Sequence, residues 1–266
     1  HGLVLEQSLF CLEPTGHYFF AALDVLVALK IPIWAAHPFH IKQTSSDKRG
    51  KCDELDAIRI AQYAYRYQDQ ARLFTTDQIK LTGLKQLIMK REQLLRRTFD
   101  SVDRAVNKTL DKQLARVDKM IEEWLDTQPD FQEQYDLICS IPGVGKVLAT
   151  NLLAVTDGFT RFTDPKALAC HCGVAPFEHT SGTTIKARAR TSPRSNSTLR
   201  SLLHMASLGA IRHDPGLKAY YERKVAQGKA KMSVLNAVRG KLIDRVFAVL
   251  KRKEAYSKEP LAFVIE

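Results

Sequence analysis

The sequence has no apolar run long enough to cross a bilayer, and this absence argues against a transmembrane helix and a membrane partner. Its first residues lack the basic region and the cleavage-type site of a secretory signal peptide. Its five cysteines are irregularly spaced, which argues against a disulfide framework and favours the reducing cytoplasm. The chain also begins without Met, in the middle of an apolar pattern, so we expect a fragment of a longer protein.

Acidic residues are scarce in one part of this 266-residue chain, whose net charge is +11. Residues 182–253 hold 17 Lys and Arg and only three acidic residues, a net charge of +14, so the remainder sums to −3. A charge concentrated in this way is typical of a surface that binds a polyanion. The alternative is a solvated basic face that only aids solubility, and it does not explain the concentration.

The pattern of apolar residues predicts an α/β domain over residues 1–72. An apolar stretch over 3–12 predicts one or two strands, and the helical spacing from Leu23 onward predicts a helix. Residues 31–36 predict a second, buried strand. Strand, helix and strand in this order indicate a crossover unit. Residues 52–67 contain no Gly or Pro and predict a further helix.

Residues 73–130 predict long helices, because positions 77–127 contain one Gly, no Pro and apolar residues three or four positions apart. The pattern fits one long helix, or two joined by a tight turn, in a coiled-coil-like arrangement. A spacer role and a dimerisation role both remain open. Residues 131–266 predict a mostly helical domain, so the predicted fold class is α/β plus α.

The motif I-P-G-V-G-K-V over 141–147 separates two of these predicted helices. Two Gly on either side of one apolar residue allow a hairpin with positive φ, after which the amides of the next helix point at an anion. This pattern is typical of a helix-hairpin-helix, which grips a nucleic-acid backbone without reading its sequence. A plain corner between helices is the competing interpretation. The candidate contacts are Gly143, Gly145 and Lys146.

Three carboxylates are candidate metal ligands. Asp53 and Asp56 stand three apart on a predicted helix, so their side chains project from one face, beside its apolar stripe. Glu13 follows an apolar run, and a carboxylate at a strand end that faces this helix could complete an oxygen-rich site for Mg²⁺. Two such ions can assist phosphoryl transfer. An ordinary acidic helix face is the alternative.

A serine stands at the head of the basic segment. Ser181 lacks the surroundings of a hydrolase nucleophile elbow, and His179 nearby could act as a base or contact a phosphate. Four cations that could neutralise successive phosphates follow it: Lys186, Arg188, Arg190 and Arg194. Cys170 and Cys172 flank a His, but zinc pairs leave two or more residues between cysteines, so we interpret both as core thiols.

Taken in order, these motifs resemble the DEDD transposases of bacterial insertion sequences, the insertion sequence 110 family. The first part of the resemblance is E-P-T-G-H-Y over 13–18 and K-C-D-E-L-D-A over 51–57. The second part is I-P-G-V-G over 141–145, G-V-A-P over 173–176, T-S-G over 180–182 and L-R-S-L-L over 199–203. The resemblance covers nearly the whole chain.

The resemblance implies a partial RNase H-like (RuvC-like) domain, a coiled-coil insertion and a helical C-terminal domain. It implies a site-specific DNA recombinase that is guided by a structured bridge RNA, with Ser181 as the nucleophile. It assigns Mg²⁺ to three members of the family's tetrad: Glu13, Asp53 and Asp56. Asn196 and Arg200 match polar positions of the motif after the serine. We therefore expect DNA, a guide RNA and further copies of the chain, in a homodimer or a higher oligomer, as partners.

The chain departs from the family pattern at two places. The family's first Asp lies on a strand well upstream of the Glu, and the twelve residues before Glu13 contain no Asp. We therefore expect an incomplete Mg²⁺ site and an inactive fragment. Ser195 stands where Gly often precedes the Asn, and Pro193 where Lys is common. A RuvC-like nuclease in which water attacks, and a non-catalytic nucleic-acid binder, are the alternatives.

Overall fold

The computed structural model describes Val4 and residues 8–14, 18–44, 53–101, 103–175, 177–181, 185–190 and 195–257. Most of them are helical, and the chain divides into two compact units, His1–Gln86 and Leu87–Glu266. The boundary between the units falls inside a helix. Domain boundaries after residues 72 and 130 stay a prediction. Over the described residues, no helix combines the length and the apolar character needed to cross a membrane.

The first unit contains the strand, helix and strand that the sequence predicts. Its elements are β1 (Phe10–Leu12), α1 (Tyr18–Ala28), β2 (Ile33–Ala35), α2 (Pro38–Thr44) and α3 (Asp53–Arg66). β1 and β2 are parallel neighbours, with Phe10 opposite Ile33, so α1 is the crossover between them. This local prediction is confirmed. A pair of strands does not identify an RNase H-like domain, which stays a prediction.

An aromatic core holds α3 against this pair of strands. Trp34 and Ala64 are buried at its centre, and the ring of Trp34 lies 5.1 Å from the ring of Tyr63. Ile60, Tyr63 and Ala64 are three or four positions apart, so they share the face of α3 that packs on the core. Burying large apolar side chains in this way stabilises the unit by about 2 kcal/mol each. The acidic first turn of α3 stays outside this core.

Two long helices follow. This matches the second of the two arrangements that the sequence predicts, two helices joined by a turn. α4 (Thr76–Asp100) and α5 (Arg104–Asp126) are separated by a break at which the Asp103 side chain accepts a hydrogen bond from the Ala105 amide, 2.7 Å away. Asp103 is thus the N-cap of a new helix, and α4 and α5 are not one continuous helix. Arg91 Nε lies 2.7 Å from Asp118 Oδ1, which links the two helices side by side. A coiled coil in the strict sense stays a prediction.

Helices also dominate the rest of the second unit. Its further elements are α6 (Pro129–Cys139), α7 (Lys146–Thr156), α8 (Pro165–His171), β3 (Phe177–Ser181), β4 (Ile185–Arg190), α9 (Ser197–His213), α10 (Pro215–Ala226) and α11 (Lys231–Arg252). Asp-Pro pairs start α8 and α10, because the Asp caps a first-turn amide and Pro lacks the N–H that would have no partner. α9 packs against α7, α10 and α11, and so lies at the centre of the unit.

Asp214 ties three parts of this unit together. Its Oδ1 accepts from the Leu217 amide at 2.9 Å, and its Oδ2 lies 2.7 Å from Arg245 Nη1 and 3.0 Å from the Tyr256 hydroxyl. The residue is only 3% exposed. Burial works against the charged carboxylate, but the hydrogen bonds from Leu217, Arg245 and Tyr256 outweigh it, so the pKa of Asp214 is lowered from its ordinary value of 3.8.

We expect Asp214→Asn to lower the free energy of unfolding at pH 7 by about 3 kcal/mol, because Arg245 loses its buried counter-ion. Since the pKa of Asp214 is depressed in the folded state, the contribution is complete above its ordinary pKa and is lost as the pH falls below about 4. Urea unfolding of both proteins at pH 7 and pH 3 measures this.

The matched control is Asp244→Asn, which removes an exposed carboxylate from α11. It should change the free energy of unfolding by less than about 0.5 kcal/mol at either pH. A difference between wild type and Asp214→Asn that stayed the same at pH 3 and pH 7 would contradict the role given to the charged form of Asp214.

Candidate functional site

The three candidate metal ligands all lie in the first unit. Glu13 follows β1 and is half-buried, and Asp53 is exposed as the first residue of α3. Asp56 Oδ1 accepts a hydrogen bond from Arg59 Nη1 at 2.8 Å. Within the described ranges, no three His, Cys, Asp or Glu side chains are grouped so that they could hold a metal. The donor type suits Mg²⁺, but the arrangement does not, because a cation holds Asp56 and the three carboxylates do not form one group.

The candidate nucleophile, Ser181, is the last residue of β3. β3 and β4 are antiparallel, with Thr180 opposite Lys186 and Ser181 opposite Ile185. Opposite positions of an antiparallel pair share a face, and adjacent positions of one strand lie on opposite faces. The register therefore puts position 181 on one face, together with position 179, and position 186 on the other. The sequence shows the alternation of cations but not the register, so it could not predict this separation.

The predicted phosphate contacts after Ser181 are described only in part. Arg194 lies outside the described residues. The backbone of Lys186, Arg188 and Arg190 belongs to β4, and the pairing with β3 shifts by one residue between Ala187 and Arg190. The shift is a β-bulge or a similar irregularity, which breaks strict alternation. The simple expectation of one cationic row along this segment therefore does not follow from the backbone.

The two glycines of the 141–147 motif have different environments. Gly143 has a φ of +90°, and a Cβ added there would lie 2.5 Å from both Ala206 O and Ala210 N in α9. Gly143 is thus a turn and packing position. Gly145 has an extended φ of −103° and no atom within 4 Å of an added Cβ. It precedes α7 without a side-chain cap, so the open start of that helix lies here rather than at Gly143.

Lys146, the third candidate of this motif, is exposed at the first position of α7 and forms an ion pair. Its Nζ lies 2.7 Å from Glu122 Oε1 in α5. The hydrogen bond and the negative charge of Glu122 raise the pKa of Lys146, so the amine stays protonated. An incoming phosphate would therefore compete with Glu122 for this cation.

The two polar positions after the serine motif have separate environments. Asn196 Oδ1 accepts a hydrogen bond from the Leu199 amide at 2.9 Å, so Asn196 is the N-cap of α9. This capping role is a structural reason for an Asn at this position and requires no ligand. Arg200 lies in the first turn of α9, and its Nε is buried with no hydrogen-bond partner in the described part of the chain. Ser195 Oγ is also buried and has no hydrogen-bond partner in the described part of the chain.

Sequence reasoning missed Arg239, a further buried cation in α11. It is 8% exposed, and its Nη2 lies 2.7 Å from His204 Nδ1 in α9. A signal was present, because Arg239 follows Leu235 by four positions and precedes Leu242 by three, inside the apolar stripe of its helix. Charged residues rarely occupy such positions unless they are paired.

Cys172 fits the interpretation as a core thiol. Its side chain is fully buried, and burial raises the pKa of the thiol to about 12. The residue is therefore a neutral thiol at neutral pH, whereas a zinc ligand is a thiolate.

Comparison with known families gives two matches to this chain. Residues 135–222 match the model of the "Transposase IS116/IS110/IS902 family". Residues 4–114 match a second model, of the DEDD transposases of IS110, described as "Transposase". The first range contains β3 and Ser181, and the second contains the three carboxylates.

Individual curated proteins are similar to the chain as well. It is 26% identical to a pilin gene-inverting protein of Moraxella lacunata, over 93% of this chain and 81% of that protein. A pilin gene-inverting protein of Moraxella bovis matches over the same shares, also at 26% identity. An uncharacterized 42 kDa protein of the insertion element IS900 from Mycobacterium paratuberculosis is 29% identical over 55% of this chain and 36% of its own length.

Proposed function

This chain belongs to the IS116/IS110/IS902 family of transposases, and we propose that it cuts and joins DNA strands with Ser181 as the nucleophile. The DNA segment that it moves would be an insertion element, or an invertible segment as the name of the Moraxella relatives suggests. The observation that carries the proposal is the position of Ser181. It ends β3, lies inside the family match over 135–222 and directly precedes the segment of charge +14.

In the proposed step, Ser181 Oγ attacks the phosphorus of a DNA phosphodiester. A phosphoserine diester forms, the bond from phosphorus to a deoxyribose oxygen breaks, and the proton lost by the serine ends on solvent or on the leaving oxygen. His179 is the candidate base, since positions 179 and 181 share a face of β3. A hydroxyl of another strand then attacks the same phosphorus and releases the serine. The adduct conserves one phosphodiester bond throughout, so joining requires no external energy source.

Mg²⁺ and a structured bridge RNA enter the proposal through the family alone. The family assigns the ion to Glu13, Asp53 and Asp56. The proposed step does not pass through the ion, because these three carboxylates do not form one group. The proposal also includes backbone contacts from a helix-hairpin-helix at the open start of α7, where Gly145 and Lys146 are exposed.

Trapping a covalent adduct tests the proposal. A version of the protein that also carries the family's first Asp is incubated with labelled DNA of the element ends, Mg²⁺ and RNA transcribed from the flanks of its gene, and the reaction is stopped with detergent. We expect labelled DNA on the protein, and peptide mass spectrometry should place it on Ser181. Cleaved DNA without an adduct would replace the proposal by a nuclease in which water attacks. Bound but intact DNA would favour the non-catalytic binder.

A further inference from the structure

Arg239 is a buried cation with no anionic partner among the described residues. Its Nη2 lies 2.7 Å from His204 Nδ1, its Nη1 lies 3.4 Å from Asn236 Oδ1, and its Nε has no partner in the described part of the chain. A guanidinium donates hydrogen bonds and accepts none, so His204 Nδ1 is the acceptor of this bond. Neutral partners alone compensate a buried charge poorly.

A second arginine lies one turn before His204 on α9, on the same side of the helix. Arg200 is half-buried in α9, and its Nε is also buried without a partner. Burial, and then the positive charge of Arg200, lower the pKa of Arg239 from its ordinary value. Neither guanidinium forms an ion pair with any carboxylate of the described residues. Two like charges in a partly buried place repel each other unless an anion lies between them.

Arg200 and Ser195 both pack against the backbone of Gly173. Gly173 has a φ of +66°, and a Cβ added there would lie 2.6 Å from Arg200 Nη2 and 2.6 Å from Ser195 Oγ. Ser195 Oγ is buried and has no partner within the described ranges. Any side chain at position 173 would collide with both groups. Glycine here lets the guanidinium and the hydroxyl approach each other closely at the backbone.

Hydrogen bonds fix the three elements that supply these groups. Asn236 Nδ2 in α11 donates to Val174 O at 2.6 Å, and the Asn196 amide at the start of α9 donates to His171 O at 2.8 Å. The end of α8, the start of α9 and the middle of α11 are therefore held together. The donors are preorganised on helices, which is what a binding site requires.

We propose that Ser195, Arg200, His204 and Arg239 form a pocket that binds a phosphate group, here called the two-arginine pocket. A phosphate offers several acceptor oxygens, which suit the unpartnered Nε–H of each arginine and the hydroxyl of Ser195. This inference rests on the proposed function for one point only, namely that the phosphate belongs to a nucleic-acid backbone.

The pocket holds a phosphate other than the one that Ser181 attacks. Val174 lies just before β3, and Ser195 lies just after β4. The two-arginine pocket is therefore at the base of this hairpin. Ser181 is four residues along β3 from its first residue, a separation of about 13 Å at the rise of a strand. The two-arginine pocket thus anchors the strand at a distance from the reacting bond.

The test compares Arg239→Met with wild type in two assays. The first is thermal unfolding with inorganic phosphate against chloride at equal ionic strength. We expect phosphate to raise the Tm of the wild type and not that of the variant. The second is binding of a short DNA duplex and an RNA over a range of salt. The variant should bind about tenfold more weakly, and the slope of log affinity against log salt should fall by about 0.9.

Two further variants keep the test decisive. Lys231→Met removes an exposed cation from the first turn of the same helix and should leave the phosphate effect on Tm intact. Arg200→Met serves if Arg239→Met does not fold, with the same expected losses. A phosphate effect that is absent from the wild type, or retained in the Arg variants, would overturn the pocket.

The result also separates this inference from the proposed function. If the Arg variants lose the phosphate effect but keep full nucleic-acid affinity and salt slope, the assignment to a nucleic-acid backbone is overturned and free phosphate is the ligand. If the wild type shows the phosphate effect but no covalent adduct forms with DNA, the pocket is upheld while the serine mechanism fails.

Discussion

In a version of the protein that also carries the family's first Asp, replacing Ser181 by Ala is expected to reduce strand exchange by at least about a thousandfold, while changing the affinity for DNA less than about twofold. The proposed reaction needs a covalent bond to this oxygen, and no neighbouring group can supply that bond in its place. One hydroxyl contributes little to a backbone contact that rests on many cations. Position 181 ends a strand, where Ala keeps the backbone of β3 unchanged.

Strand exchange is measured by the appearance of joined DNA products, and affinity by titration of the same DNA. The control is Ser201→Ala, an exposed serine on α9 that should keep full activity. Exchange at the wild-type rate in Ser181→Ala, or an adduct that maps to Ser192, would refute the assignment. The water-attack nuclease would then become the preferred mechanism.

The local elements of the first unit could be predicted because their signals lie close together in the sequence. Apolar residues in the order strand, helix, strand are enough to predict β1, α1 and β2, since a parallel pair needs a crossover. The break between α4 and α5 is harder to predict from the sequence. The apolar spacing runs through it without interruption, and only the capping side chain of Asp103 marks the new helix.

The candidate site depends on long-range features that a pattern does not contain. The register of β3 on β4 decides whether position 181 lies on the same face of the hairpin as the cation at position 186. The sequence carries no marker for this register. The two-arginine pocket joins residues from α9 and α11 that are 39 positions apart, Arg200 and Arg239. Only the packing of the two helices brings the guanidinium groups together. The charge of +14 predicts a polyanion but not where one phosphate is held.

The two glycines of the I-P-G-V-G-K-V motif also have surroundings that the local sequence does not show. They look equivalent in sequence, and the motif predicts that both contact nucleic acid. Their surroundings differ because Gly143 lies against the small residues of α9, including Gly209, whereas Gly145 is exposed. Substituting each by Ala should therefore separate packing from binding.

Gly143→Ala is expected to lower the free energy of unfolding by about 4 kcal/mol. A φ of +90° is unfavourable for any residue with a Cβ and costs about 1–3 kcal/mol. The added methyl group would also lie 2.5 Å from Ala206 O and Ala210 N, which are backbone atoms of a central helix and cannot rotate aside. Overpacking of this kind costs about another 1–3 kcal/mol.

Gly145→Ala is the matched substitution, since its φ of −103° suits Ala and its added methyl group meets no atom within 4 Å. It should cost at most about 1 kcal/mol, because Gly is a better N-cap than Ala. Urea unfolding of both variants measures the contrast, and titration with DNA measures binding. If the open start of α7 contacts phosphate, Gly145→Ala should weaken DNA binding at nearly unchanged stability, since the methyl group would occupy space that the bound phosphate needs. Equal losses of stability in the two variants would mean that Gly143 is not packed against α9 as described, and the helix pair would then lack the close contact that fixes the position of α7.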